Sequence, residues 1–322
     1  MDEPYDVLVV GGGAAGLSGA LALARARRSV LVIDAGEPRN ASAGHVHNYL
    51  ASEGMSPADL VAAGREEVTS YGGQIVAGRV VAAARHGDHF QVTLHGGRRV
   101  RARRLLVTTG LVDELPDVPG VAERWGRDVL GCPYCHGWEV RGRRIGVLAT
   151  GPLGPDQASL WRQWSPQVML LTHHTPAPGA EDADRLAARG ITVVDGPVAA
   201  LEIEDDALTG VRLASAEVVA LDAVVVSPWL TARAGVLRSL GLKPVDVVLN
   251  GHAIGSQVPA DLTGATAVPG VWVAGNVADV RAHVIAAAAA GMNAAAAINT
   301  DLISEETCDA VDAYRRSVRT TF

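Results

Sequence analysis

"YDVLVVGGGAAGLSGALALARARRSVLVIDAG", residues 5–36, decides the fold. Val7 to Val10 is an apolar run too short for a helix and suited to a strand buried on both faces. Gly11, Gly13 and Gly16 follow in the spacing G-x-G-x-x-G. Residues 14–27 continue as an Ala- and Leu-rich helix, and residues 29–34 form a second strand closed by Asp34, 18 residues beyond Gly16. Each part has a physical job. Gly11 permits a tight turn, Gly13 lets the backbone approach a pyrophosphate, and Gly16 lets the helix lie close on the strand. The helix start at Ala14 and Ala15 offers unpaired N–H groups to phosphate oxygens. Asp34, followed by Ala35, closes the unit where ribose hydroxyls would bind. A glycine-rich turn alone would be a weak signal; here strand, helix, second strand and acid agree on a dinucleotide site.

The pattern restarts in "RIGVLATGPLGPDQASLWRQWSPQVMLLTHH", residues 144–174. A strand at 145–148, a glycine-containing turn, a helix and a strand at 167–171 repeat the first unit. The expected fold is therefore α/β, with two Rossmann-like dinucleotide-binding domains. The second fingerprint is damaged. Ala149 holds the first glycine position, Gly151 and Gly154 the other two, and Pro152 and Pro155 stiffen the turn and remove N–H donors. The second strand ends in Thr172, His173, His174 and Thr175. Neutral imidazoles are poor substitutes for the bidentate guanidinium that holds a 2′-phosphate. Adjacent residues at a strand end are expected on opposite faces, which disfavours a metal there. NADPH binding is therefore in doubt.

With 322 residues the chain is long enough for two domains of ~100–200 residues each. It is 48% apolar but only 4% aromatic, the composition of small residues packing helices on a parallel sheet. A formal charge of −7 argues against a nucleic-acid partner. No apolar run of ~18 residues is present, so no membrane span is expected. The acidic start "MDEPYDVLVV" enters a strand directly and does not read as a signal peptide. Three cysteines do not make a secreted disulfide framework. A cytoplasmic protein is the expectation, and there a close cysteine pair reads as catalytic or metal-binding.

That pair lies in "LGCPYCHGWE", residues 130–139. A structural zinc needs two more ligands beside Cys132 and Cys135, and no second CxxC or HxxxH supplies them. Cys308 sits far away in "SEETCDAVDAYRRS", residues 304–317, where it reads as part of an apolar helix stripe. No metal is expected. A redox pair is the favoured reading over zinc or a static disulfide.

Near the far end, "GVWVAGNVAD" (residues 270–279) is a strand ending in Gly275-Asn276, followed by a small-residue helix, "AHVIAAAAAGMNAAAAIN" (residues 282–299). The order is dinucleotide fingerprint, the strand "LLVTTG" ending at Gly110, CxxC, second fingerprint, then Gly-Asn. Over essentially the whole chain it resembles the low-molecular-weight thioredoxin reductases, among the flavoprotein disulfide reductases. The resemblance implies FAD. It places Gly110 and Gly275-Asn276 at the flavin, with His283 and Val284 at the start of the helix aimed at the ring. Most of that family has Asp where this chain has Asn276. Arg39 and Asn40 fall where the family contacts the adenosine and pyrophosphate, and His47-Asn48 where it approaches the ring. Cys135 would face the flavin and Cys132 the substrate. The implied protein is a homodimer with a discontinuous FAD domain, residues 1–113 and 234–322, and an inserted nicotinamide-type domain, residues 114–233.

His136 departs from the family, which usually has Asp directly after the pair. An imidazole takes protons from thiols near neutral pH. The plainer reading is a side chain that only bonds a backbone carbonyl. "CPYCHG" resembles a subgroup, the dithiol oxidases that close disulfides in small natural products such as gliotoxin and holomycin. The resemblance implies electron flow from a small-molecule dithiol to the cysteine pair, to FAD and to dioxygen, giving hydrogen peroxide. Cys132, Cys135, His136 and His283 are the catalytic candidates. An NADPH-dependent thioredoxin-type reductase and a redox-sensing flavoprotein are the alternatives.

Overall fold

Tyr5–Val10 is a strand, in a computed structural model that describes residues 4–320. Met1–Glu3 of the acidic start, and Thr321 and Phe322, lie outside the described residues. The strand pairs in parallel with Val30–Asp34 on one edge and with Arg99–Val107 on the other. Both of its faces are covered, which is why it reads as one apolar run rather than an alternation. Gln74–Ala77 extends the sheet beyond Val30–Asp34. Val271–Val273, from near the far end of the chain, pairs in parallel with Leu105–Val107. The antiparallel hairpin of Val80–His86 and His89–Leu94 joins the start of Arg99–Val107.

Helix Ala14–Arg25 covers one face of this sheet beside a 37-residue helix, Val284–Thr320. The two cross where glycines notch them. A methyl group on Gly291 would overlap the Ala15 carbonyl oxygen, and one on Gly19 would come within 3.0 Å of the Gly291 carbonyl. The long helix is buried through Ala287, Ala294, Ala295, Ile298 and Leu302, then runs on as an exposed rod carrying Ile303, Val311, Tyr314 and Val318. Ion pairs sew the junction to the sheet. Arg104 reaches Asp301 and Glu305 (2.5 Å each), Arg103 reaches Asp6 (2.8 Å), Glu305 and Glu306 (2.7 Å each), and Arg28 reaches Glu306 (2.6 Å). Cys308 is exposed on this rod and fills no core, contrary to its expected place in an apolar stripe.

A second, wholly parallel sheet has Ile145–Leu148 at its centre, between Val168–Leu171 and Ala223–Val226, with Thr192–Val194 and Val129–Leu130 at the edges. Helix Gly154–Trp161 packs on it through the fully buried Trp161. A three-stranded antiparallel sheet, built from Val198–Glu204, Ala207–Leu213 and Val218–Ala220, adds the other layer. The chain leaves the first sheet through Leu111–Glu114 and returns through Trp229–Ala232; these strands pair with each other antiparallel. Among the described residues no helix is long and apolar enough to cross a membrane.

Candidate active site

The first loop is built around its glycines. Gly11 has φ +107°, and a methyl group there would press to 2.6 Å of the Thr108 carbonyl oxygen. A methyl group on Gly16 would overlap the Gly11 carbonyl, so helix and strand touch only because it is glycine. Gly13 has nothing within 4 Å of the corresponding point and faces open space. Asp34 accepts from the Gly12 amide at 3.1 Å and from Arg65, a residue of helix Pro57–Ser70. Gly11, Gly13, Ala14, Ala15, Asp34, Ala35, Arg39, Asn40, Gly110, Gly275, Asn276, His283 and Val284 all line one cleft of about 1910 Å³. Gly16 lies beneath it as packing. A typical single-ligand pocket is ~300–1,000 Å³. This cleft is large enough for a dinucleotide.

At the cleft's middle, Arg39 forks onto Asp113 at 2.6 and 2.8 Å and donates to Asn276 Oδ1 at 3.2 Å. All three guanidinium nitrogens thus donate to protein oxygens, which ties Arg39 to Asp113 and Asn276 at the cleft wall. Asn276 Nδ2 donates to the carbonyls of Asp279 (3.0 Å) and Ala282 (2.9 Å). An aspartate has no hydrogen to make those two bonds, so Asn276 clamps the turn that delivers His283.

Cys132 precedes a four-residue helical turn, Pro133–His136, that brings Cys135 back towards it. The Cys135 thiol donates to the Cys132 sulfur. Backbone N–H groups of Cys135 and Tyr134 and the charge of His283 add to this against the cost of burial, holding Cys132 down at about 6. The same sharing, with burial, pushes Cys135 well above the usual thiol range. Cys132 is therefore the thiolate of the pair and Cys135 its proton donor. His283 Nε2 lies 3.9 Å from Cys132 Sγ.

His136 was the imidazole expected beside the pair. The structure puts His283 there instead. Both ring nitrogens of His136 are buried without a well-formed hydrogen bond and neither meets a sulfur; the Cys132 backbone is the polar group that acts on the ring. Burial lowers its pKa and so keeps it neutral near pH 7. His47 and Asn48 also depart from expectation, since neither lines the cleft. His47 bridges Glu53 (2.6 Å) and Glu139 (3.5 Å). Asn48 donates to the Tyr134 carbonyl at 2.5 Å, inside the CxxC turn. The pair holds the cysteine turn from outside the cleft.

The second loop opens onto the same cleft with a different interior. The Ala149 Cβ sits 2.9 Å from where a Cβ on Gly154 would be, so the glycine accommodates the alanine. Asp156 occupies the first turn of helix Gly154–Trp161 and pairs with Arg185 at 3.1 Å. His173 has φ +52° and accepts from the Val198 amide at 3.0 Å through Nδ1. The rings of His173 and His174 lie 4.0 Å apart, not on opposite faces, because the strand has already ended at Leu171 and the chain is turning.

Residues 5–293 match the model of the pyridine nucleotide-disulphide oxidoreductases. The chain belongs to this family. A crystal structure of HlmI superposes with a TM-score of 0.92 at 43% identity, covering 99% of this chain and 98% of that one. An oxidoreductase from Agrobacterium tumefaciens superposes at 0.87 with 34% identity, covering 94% and 99%. Thioredoxin reductase tcpT of Claviceps purpurea is 40% identical over 153 residues, 46% of this chain and 48% of the relative. The chain thus spans about half the length of such curated relatives, although thioredoxin reductase of Aquifex aeolicus aligns over 92% of this chain and 93% of its own at 26% identity.

Membership of this disulphide oxidoreductase family brings FAD as cofactor, and the first loop fits it. Gly13 leaves a hollow that a Cβ would fill, at a helix start with no acidic residue in its first turn. The buried Arg65 Nε lacks a partner at the cleft's edge. The loop would hold the pyrophosphate, Asp34 and Arg65 the ribose end, and Gly275, Asn276 and Val284 the ring end. Arg65 and Asp113 were missed by sequence reading, since an arginine in an amphipathic helix and an acid before a proline-rich crossing carry no local mark. The three ligand atoms of Cys132, Cys135 and His283 lie within 4.8 Å of one another. The third ligand that spacing could not find comes from a distant segment.

Proposed function

We propose that this oxidoreductase oxidises a small-molecule dithiol to a disulfide, with dioxygen as final acceptor and hydrogen peroxide as product. The observation that carries the reading is the second loop. An acid stands at the helix start where a nicotinamide cofactor's phosphates would seat, an alanine replaces the turn glycine, and both histidines that follow the strand lie together on a turn. A carboxylate at that end satisfies the helix dipole and repels a phosphate.

The chemistry of the pair supports the same direction. A substrate thiol gives its proton to His283 and its sulfur attacks Cys132 of the Cys132–Cys135 disulfide. Cys135 leaves and takes up a proton. The substrate's second thiolate then attacks its own sulfur in the mixed disulfide and expels Cys132. The substrate loses two electrons and the pair gains them. Cys132, held at about 6, is a good leaving group, and a stabilised thiolate makes the disulfide form more oxidising. Bound FAD supplies the step that takes the electron pair onward to the acceptor.

The opposite direction, an NADPH-dependent reductase, is favoured by the open space at Gly151 and by the names of the curated relatives. Anaerobic mixing separates the two. The expected result is bleaching of the flavin's visible band by a small dithiol, with peroxide on readmitting air, and little bleaching by NADPH. Rapid bleaching by NADPH with none by dithiol overturns the proposal.

A further inference from the structure

We infer that the reduced pair and His283 bind one thiophilic divalent cation of the zinc class, and that this holds the relay in its dithiol state. With metal bonds of about 2.3 Å to sulfur and about 2.0 Å to nitrogen, a tetrahedral site has a sulfur–nitrogen edge of about 3.5 Å and a sulfur–sulfur edge of about 3.8 Å. Cys132 Sγ and His283 Nε2 are 3.9 Å apart, and no pair among the three ligand atoms exceeds 4.8 Å. Small side-chain rotations close the difference.

The ligand set is two sulfurs and one imidazole nitrogen, which selects soft and borderline ions over magnesium or calcium. The three residues come from two segments already fixed against each other. Asn48 grips the cysteine turn through the Tyr134 carbonyl, and Asn276 clamps the turn before His283. All three ligands line the cleft, which gives the ion a way in. Among the described residues no fourth ligand joins them, so the remaining position faces the cleft and takes water or an incoming thiolate.

Binding is a balanced exchange. Near pH 7 the Cys132 thiolate, the Cys135 thiol and one divalent cation give a dithiolate complex and one proton, with no electrons moved. The disulfide form has no thiolate to offer. The site therefore exists in one redox state only, and occupying it withholds the sulfur electron pairs from the next step.

The test uses the flavin-loaded protein. One sample has the pair reduced by a phosphine and desalted under argon; the other is left oxidised. Each is dialysed against Zn²⁺ and its metal counted by mass spectrometry. The expected result is one Zn²⁺ per reduced chain, none per oxidised chain, and slowed iodoacetamide alkylation of Cys132 in the reduced sample. His283→Ala should weaken binding by more than about tenfold, the least that loosening even an outer partner of a metal ligand costs. His136→Ala should leave the affinity as it is. Equal uptake by the oxidised protein, or an affinity unchanged in His283→Ala, overturns the site. The wild-type comparison stands even if that variant does not fold. The readouts are metal and alkylation, so they answer separately from the direction of electron flow.

Discussion

In the first nucleotide loop Gly16 lies under the Gly11 carbonyl, Gly13 faces open space, and no acid stands in the first turn of the helix. In the second, Ala149 takes the place of Gly11, its methyl rests against Gly154, and Asp156 sits in the first turn. Both loops join a buried parallel strand to a helix. Gly151 keeps the open space that Gly13 has, so the scaffold survives with some of the phosphate-welcoming features changed and one retained. Strand–turn–helix packing depends on apolar burial, whereas phosphate binding depends on a few backbone and charge positions. The two can therefore be lost separately.

The largest expected effect breaks the first loop. Gly16→Ala sets a methyl group against a backbone carbonyl that cannot yield, at a cost of about 3 kcal/mol. That cost falls on the fold, and the shift it forces on the Gly11 carbonyl should weaken FAD binding by about tenfold or more, measured by flavin retained after desalting. Retention at the wild-type level would remove the distinction between the loops.

The next effect lies at the cysteine turn between the loops. Folding lowers Cys132 from its ordinary 9.0 to about 6. The thiolate's stabilising contribution is thus fully present above 9.0 and vanishes as pH falls through about 6. Iodoacetamide labelling of the Cys132 peptide in reduced protein should rise about tenfold from pH 5 to 7, with the exposed Cys308 mapped separately. A midpoint near 9 would contradict the charge arrangement at the pair.

Gly154→Ala sharpens the comparison by being mild. Its methyl would meet Ala149, at 2.9 Å from Cβ and 3.6 Å from Cα, and the Leu170 side chain at 3.3 Å, but no backbone carbonyl. A loss of about 1 kcal/mol in thermal unfolding, with full flavin content, is expected. Smallest of all is Asp156→Ala. Removing one acid should improve NADPH affinity by only about threefold, within the range of a helix-terminus charge effect. Fast NADPH bleaching in that variant would mean that one carboxylate, not several changes together, closed the second site.

What the sequence disclosed was local. Val7–Val10, the three glycines, Asp34 and the CxxC pair work through neighbours within one βαβ unit or one turn, so spacing alone exposes them. What it concealed joins distant segments. His283 and Asn48 were candidates, but their partners were not legible: His283 is 151 residues from Cys132, and Asn48 is 86 from Tyr134. Adjacency in sequence also misled: His136 follows Cys135 directly, yet its buried ring nitrogens bond no sulfur, and the imidazole beside Cys132 is that of His283. Likewise His47-Asn48 is polar in a small-residue loop, but whether such a pair meets a cofactor or another loop depends on the docking of the cysteine turn.

The glycine crossing of the two helices has a consequence for length. Helix Ala14–Arg25 starts at the hollow beside Gly13, and the long helix starts beside His283; both starts open on the same cleft. Gly19 and Gly291 lock the two together one to two turns behind those starts. Their ends work as the jaws of a caliper, set by backbone against backbone. A molecule gripped at both jaws must span the gap between them, so a nucleotide that reaches only one is measured and found short.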